Sequence, residues 1–101
     1  MEIHITKEVE GFIITLDKLT IAKILRVIDL LEKFGNQLQL PHSKPLGKGL
    51  FELRIRGSKE IRIFFTYYKN EAILLHGFIK KSRQIPPKEI SMAYNKLRSL
   101  T

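Results

Sequence analysis

Alternate residues of three successive β-like runs carry side chains suited to proton transfer and to holding phosphate. Glu52, Arg54 and Arg56 share one parity of the run Leu50 to Arg56, Arg62 holds that parity between Glu60 and Tyr68, and His76 and Lys80 hold it in the third run, with Lys81 and Arg83 just beyond. A carboxylate or an imidazole can accept a proton near neutral pH, while guanidinium and ammonium groups can hold a phosphate or balance charge that develops on one. From His42 to Ile85 ten Lys or Arg stand against three Glu, a net +7 out of the chain's +8. Positive charge confined to one stretch is a directed field, whose natural partner is a polyanion and above all nucleic acid.

The alternation itself says how these groups would be placed. Phe51, Leu53 and Ile55, then Ile61, Ile63, Phe65 and Tyr67, then Ile73, Leu75, Gly77 and Ile79 point to one side, which leaves Arg62, Phe64, Tyr68, Leu74, His76, Phe78 and Lys80 on the other. Cross-strand partners of an antiparallel pair share a face, so the pattern demands odd-length loops, taken as 57–59 and 69–71. That register sets Arg54 opposite Arg62, Arg62 opposite Phe78, and Glu52, Phe64 and His76 in one row. His76 and Lys80 become diagonal neighbours of Arg62, at roughly 7 to 8 Å between backbones. Cations for phosphates among Phe64, Tyr68 and Phe78 for bases is what a single-stranded RNA cleft requires. Leu53, Ile63, Phe65 and Leu75 are expected on the opposite face.

The remaining elements frame this sheet. Ile21, Ile24, Leu25, Ile28, Leu31 and Phe34 recur with helical spacing and meet a stop at Gly35-Asn36, and a shorter helix is expected from Glu8 to Leu16. Ile3 to Thr6 can form an initial strand. Residues 37–49, with Pro41, Pro45, Gly47 and Gly49, read as a loop, and Pro86-Pro87 opens a last helix from Lys88 to Leu100 with Ile90, Ala93, Tyr94 and Leu97 as its apolar stripe. The expected class is α+β: two N-terminal helices, a mainly antiparallel sheet of three to four strands and a C-terminal helix, in one domain spanning residues 1–101. The 101 residues contain no cysteine, which excludes disulfides, thiolate zinc sites and cysteine nucleophiles. The three histidines do not pair at metal-ligand spacings, and no apolar run is long enough to span a bilayer. The chain reads as a soluble, unexported, cytoplasmic protein without membrane contact.

Several ordered motifs carry a resemblance. Pro41-His42-Ser43-Lys44-Pro45-Leu46, Gly49-Leu50-Phe51-Glu52-Leu53-Arg54, Arg62-Ile63-Phe64, Leu75-His76-Gly77-Phe78-Ile79-Lys80-Lys81 and Pro86-Pro87 closely resemble the phage-derived HigB-like branch of the RelE toxin superfamily. The resemblance runs from the long helix to the C-terminus. It implies a RelE-like toxin of a bacterial type II toxin–antitoxin system, which enters the ribosome and cuts mRNA without metal or small-molecule cofactor. The implied partners are the ribosome, mRNA and a cognate antitoxin, typically a helix-turn-helix, HigA-like protein.

In that chemistry the RNA 2′-OH attacks its own phosphate, which needs a base, an acid for the 5′-oxygen and fixed positive charge. Arg62 matches the arginine that the family places on this strand and would stabilise the transition state. His76 or Glu52 would be the base, and Lys80 or Lys81 the acid or a phosphate anchor. Lys44, Lys48, Arg54, Arg56 and Arg83 would hold mRNA or ribosomal RNA. The best-known RelE proteins carry a tyrosine near the start of the last helix; here Pro86 and Pro87 stand there, and Tyr94 lies about two turns inside on the apolar stripe. Ordinary structural readings exist for each group. Glu52 can simply pair with Arg54 or Arg62, His76 can be a packed residue, Phe64 and Phe78 can lie under the last helix, and Lys23, Arg26, Lys33 and Lys59 can serve solubility. Two other classes compete: a ParE-like poison of DNA gyrase without nuclease residues, and a double-stranded RNA-binding domain, whose contacts would lie on helices and a loop.

Overall fold

The computed structural model describes residues 1–100. The chain runs β1 Glu2–Ile5, α1 Lys7–Ile14, α2 Lys18–Phe34, a 3-10 turn Gly35–Gln37, β2 Ser43–Gly47, β3 Leu50–Ile55, β4 Ile61–Tyr68, β5 Glu71–Ile79 and α3 Pro87–Arg98. Local chemistry sets the helix boundaries. The Thr6 hydroxyl accepts from the Val9 amide and donates to the Leu74 carbonyl at 2.8 Å, so the cap of α1 also ties that helix to β5. Asp17 caps α2 by accepting from the amide and hydroxyl of Thr20, and Gly35 ends it at a φ of +54°, where a side chain would be strained. Pro87 occupies the first turn of α3, where its missing N–H leaves no bond unmade.

The five strands form one mixed sheet in the order β1-β5-β4-β3-β2, with β1 parallel to β5 and the other pairs antiparallel. The sheet is mainly antiparallel, and the initial strand anticipated at Ile3 to Thr6 is present; the correction to three to four strands is a fifth, β2. Glu2–Ile5 is a parallel edge strand, and Ser43–Gly47 is a strand where a loop was expected. Proline and glycine weaken the sequence signal of Ser43–Gly47, but an edge strand tolerates Pro45 because one side of its backbone needs no ladder bond.

Around Arg62 the pairing is the expected one: Arg54 lies opposite Arg62, Arg62 opposite Phe78, and Glu52, Phe64 and His76 form one row. The expected loop at 69–71 is different. Lys69 and Asn70 alone turn the chain, both at positive φ, and Tyr68 pairs with Glu71. The odd residue that parity requires is absorbed by a bulge, because the register shifts between Phe64 and Phe65 and leaves Leu75 unpaired in β5. Side chains beyond the bulge therefore change sides: Leu74 joins Phe65, while Ile73 and Leu75 join Phe64 and Phe78. The expectation that Leu75 shares a face with Leu53, Ile63 and Phe65 is thereby overturned.

Two cores result. Val9 and Ile13 of α1 and Ile24, Val27, Ile28 and Leu31 of α2 pack on Leu53, Ile55, Ile61, Ile63, Phe65 and Leu74. Each such burial is worth about 1.5 to 3 kcal/mol. The stripe of α2 is rotated from the expected one: Thr20, Ile24, Val27, Ile28 and Leu31 are buried, whereas Leu25 and Phe34 are half exposed. On the other face α3 covers Leu50, Phe64, Ile73, Leu75 and Phe78 with Ala93. Among the described residues no helix is long and apolar enough to cross a membrane.

Candidate functional site

Glu52, Arg62 and His76 share a row or diagonal on the α3 side of the sheet, but the expected site residues as a whole fall into separate groups. Strand pairing lines up Lys44 of β2, Glu52 of β3, Phe64 of β4 and His76 of β5. Phe64 stands between the carboxylate and the imidazole. Its ring lies 5.4 Å from that of Phe78 and 6.3 Å from that of His76, and both phenylalanines are buried beneath α3. They are core, so they do not offer faces on which bases could stack. This corrects the reading of Phe64 and Phe78 as base platforms.

The first group is a buried ion network. Glu52 and Arg62 are 1% and 3% exposed, and their Oε2 and Nε atoms face each other at 3.4 Å without the alignment of a hydrogen bond. Arg54 Nε donates to Glu52 Oε1 at 2.8 Å. Arg62 donates through Nη1 to the Ile61 carbonyl at 3.2 Å and through Nη2 to Glu60 Oε1 at 3.4 Å. Two carboxylates thus surround a guanidinium removed from water, an arrangement in which desolvation offsets most of the Coulomb gain and the loss of either partner is costly. Arg62 faces Glu52 and Glu60 here, rather than solvent.

The second group joins β5 to α3. Glu89, Ala93 and Lys96 are spaced i, i+4 and i+7 and so share a face of α3, and Ala93, fully buried, lets that face approach the sheet. Glu89 Oε1 lies 2.6 Å from His76 Nε2, and Lys96 Nζ lies 3.4 Å from His76 Nδ1. An ammonium can only donate and a carboxylate can only accept, which fixes the neutral tautomer: Nε2 carries the hydrogen and Nδ1 offers its lone pair. A carboxylate at one ring nitrogen fixes the orientation of the imidazole and of the lone pair on the other nitrogen. His76 remains 8% exposed. Glu89 and Lys96 were not among the expected site residues. The available signal was two ionisable groups flanking Ala93 on the buried side of a helix.

The other cations line the margins. Lys80 lies two strand positions beyond Phe78, and its ammonium donates to the carbonyls of Ser82 and Arg83 at 2.6 and 2.8 Å, bracing the segment that leads into α3. Lys81 and Arg83 are exposed in that segment. Among the described residues no carboxylate lies within ion-pair distance of Lys80, Lys81 or Arg83. Lys44 is exposed on β2, and Lys48 sits at positive φ in the β2–β3 turn beside Tyr94 and Ser91. Arg56 is open to solvent at the end of β3, with Glu60 at 4.0 Å. Tyr94 donates its hydroxyl to the Gly47 carbonyl at 2.9 Å, so it pins the same turn from the edge of the α3 core. Lys59, read as a solubility residue, instead pairs with Asp17 at 2.8 Å and, with Thr20, holds that carboxyl well below the usual carboxylate range. Burial pushes the Tyr67 hydroxyl up, and it donates to the Gly35 carbonyl. Among the described residues no group of three or more His, Asp or Glu is placed to hold a metal ion.

Comparison with protein families identifies a match. The model of a family described as phage derived protein Gp49-like matches residues 12–98, from the last three residues of α1 to the end of α3. No curated protein matches the chain.

Proposed function

The chain belongs to the phage-derived Gp49-like family, within the RelE/Gp49 toxin superfamily, and we propose that it is an endoribonuclease toxin that cuts mRNA on the ribosome and is silenced by a cognate, helix-turn-helix, HigA-like antitoxin. The observation that carries the reading is the grip on His76, with a carboxylate at one ring nitrogen and an ammonium at the other. In the proposed reaction the RNA 2′-OH enters between His76 Nδ1 and Lys96 and gives its proton to Nδ1. Glu89 holds Nε2–H and balances the imidazolium. The 2′-oxygen forms a bond to phosphorus, the bond from phosphorus to the 5′-oxygen breaks, and a lysine among Lys96, Lys80 and Lys81 delivers a proton to the leaving oxygen. The products are a 2′,3′-cyclic phosphate and a 5′-hydroxyl.

The sheet residues divide the remaining work. Lys80, Lys81 and Arg83 supply positive charge near the reacting phosphate, and Lys44, Lys48, Arg54 and Arg56 hold flanking RNA. Arg62 and Glu52, buried against each other, act by fixing β3, which carries Arg54, to β4, the neighbour of the His76 strand, rather than by touching the substrate.

The sealed Arg62 also suits a second reading, a ParE-like gyrase poison with no nuclease activity. Primer extension on translated mRNA after induction separates the two. Cuts at defined positions inside ribosome-occupied codons are expected, and they should persist when divalent cations are chelated in a ribosome-programmed reaction. An uncut message together with blocked DNA supercoiling would establish the gyrase reading in its place.

A further inference from the structure

A second cluster of positive charge lies away from His76, in a groove between α2 and the C-terminal end of β3, where Lys23, Arg26 and His42 join Arg54 and Arg56, already proposed to hold flanking RNA. The cavity measures about 390 Å³. Its walls carry Lys23 and Arg26 from α2, His42 from the segment before β2, and Arg54 and Arg56 from β3, while Val27, Leu30 and Ile55 form an aliphatic floor. No acidic residue lines it. Lys23 and Arg26 are spaced i, i+3, so both lean over the same side of the helix. Gly57 makes room for Lys23: a Cβ there would come within 2.7 Å of the ammonium. Helix residues that the sequence suggested were merely solvated are thereby brought beside two strand arginines.

We propose that this groove binds the phosphate–sugar backbone of RNA without regard to sequence, an inference that rests on the reading of the chain as an RNA-directed toxin. Arginine forks and a lysine ammonium match phosphate oxygens. An aliphatic floor suits the apolar edge of a ribose. No Phe, Tyr or Trp lines the groove to stack a base, and no amide or carboxylate is present to read a base edge. Such contacts fix position and carry no sequence information. The groove would therefore anchor RNA beside the sheet, and selection of the cut site would fall to whatever presents the message. An acidic protein segment is the competing occupant, distinguished below by its own probe.

The test is fluorescence anisotropy over a salt series, with a labelled oligouridylate and, separately, a labelled oligoglutamate peptide. The Lys23→Glu/Arg26→Glu variant is compared with Lys7→Glu/Lys18→Glu, which changes net charge equally at exposed helix N-termini where glutamate is tolerated. Circular dichroism checks folding of both. The groove variant is expected to weaken oligouridylate binding about tenfold or more at low salt, and to flatten the slope of log affinity against log salt by about 1.4, the value for two phosphates on a single strand. The milder Lys23→Gln/Arg26→Gln variant loses the same two contacts, so it should flatten the slope by a similar amount with a smaller loss of affinity at low salt. Equal effects from the groove variant and its charge-matched control would overturn the site. So would oligoglutamate binding that is lost in the groove variant while RNA binding persists. A wild-type chain that fails to cut ribosome-bound mRNA would remove the nuclease reading and leave these binding results standing, whereas normal RNA binding by the groove variant with intact wild-type cutting would remove only the groove.

Discussion

Glu52–Arg62 and His76–Glu89 are two carboxylate contacts on one face of one sheet, the first to a guanidinium and the second to an imidazole, and they are built in opposite ways. The first lies wholly within the strands, is 1% and 3% exposed, and leaves Glu52 Oε2 and Arg62 Nε without hydrogen-bond partners. The second spans strand and helix, satisfies both ring nitrogens of His76, and reaches the surface through Glu89, whose side chain is 23% exposed. A sealed ion pair resists change because either charge left alone is strongly disfavoured. A pair at a helix–sheet seam can exchange a partner for a substrate group at little cost. Ionisable residues that look equivalent in a strand pattern therefore divide into holders of the fold and candidates for chemistry.

The sharpest way to break this division is to remove one member of each pair and ask which observable moves. His76→Gln should lower ribosome-programmed mRNA cutting by about 10²- to 10⁴-fold, the usual share of a positioned acid–base group, while the urea midpoint changes little. Cutting within a factor of a few of wild type would take His76 out of the reaction. Arg62→Ala should act on the fold, costing about 3 kcal/mol or more because Glu52 would stay buried with only Arg54 beside it. Replacing both, as Glu52→Leu/Arg62→Leu, should recover much of that loss. Equilibrium unfolding decides the matter: a loss below about 1 kcal/mol in the single variant contradicts a sealed pair.

A smaller effect sharpens the contrast from the opposite face. Gly77 stands next to His76, and a Cβ at that position would come within 2.6 Å of the Phe12 ring of α1. Gly77→Ala should cost about 1 to 3 kcal/mol through overpacking. The pairing Gly77→Ala/Phe12→Leu should regain part of it; failure to do so would place the strain elsewhere.

The smallest effect is expected at the surface pair Asp17–Lys59. The Asp17 pKa is depressed in the folded chain, so its contribution to stability is fully present above the ordinary carboxylate range and is lost as pH falls through the folded value. Screening keeps the contribution minor. NMR titration should find Asp17 still ionised at pH values where a free aspartate is protonated, and Lys59→Ala should return the midpoint toward normal. An unshifted midpoint in the wild type would show that the pair does not persist in solution.

Much of the sheet was legible in the residues. Period-two alternation from Leu50 to Ile79 specified three strands, and the parity of buried residues specified the pairings of Glu52, Arg54, Arg62, Phe64, His76 and Phe78. The bulge at Leu75 escaped because parity counts only the total of odd residues between strands, and a loop residue and a bulge residue satisfy it equally. The strand Ser43–Gly47 escaped because Pro45, Gly47 and Gly49 are turn residues in a local reading, and only a neighbour such as β3 makes an edge strand of them. Helical periodicity located α2, but its exact facing depended on which residues met the sheet, so Val27 went in and Leu25 stayed out.

The candidate site divides along the same line. The sequence by itself determined the supply of groups: a basic strand region, one imidazole in it, no thiols, and alternation that puts Arg62 and His76 on one side. Only the tertiary structure decided what each group faces. Side-chain identity fixes charge and proton capacity, but exposure and partners depend on contacts between residues far apart in the chain. Arg62 became a sealed ion-pair partner because Glu52 and Glu60 close on it, and His76 became an oriented imidazole because α3 returns across the sheet and sets Glu89 and Lys96 at its two nitrogens.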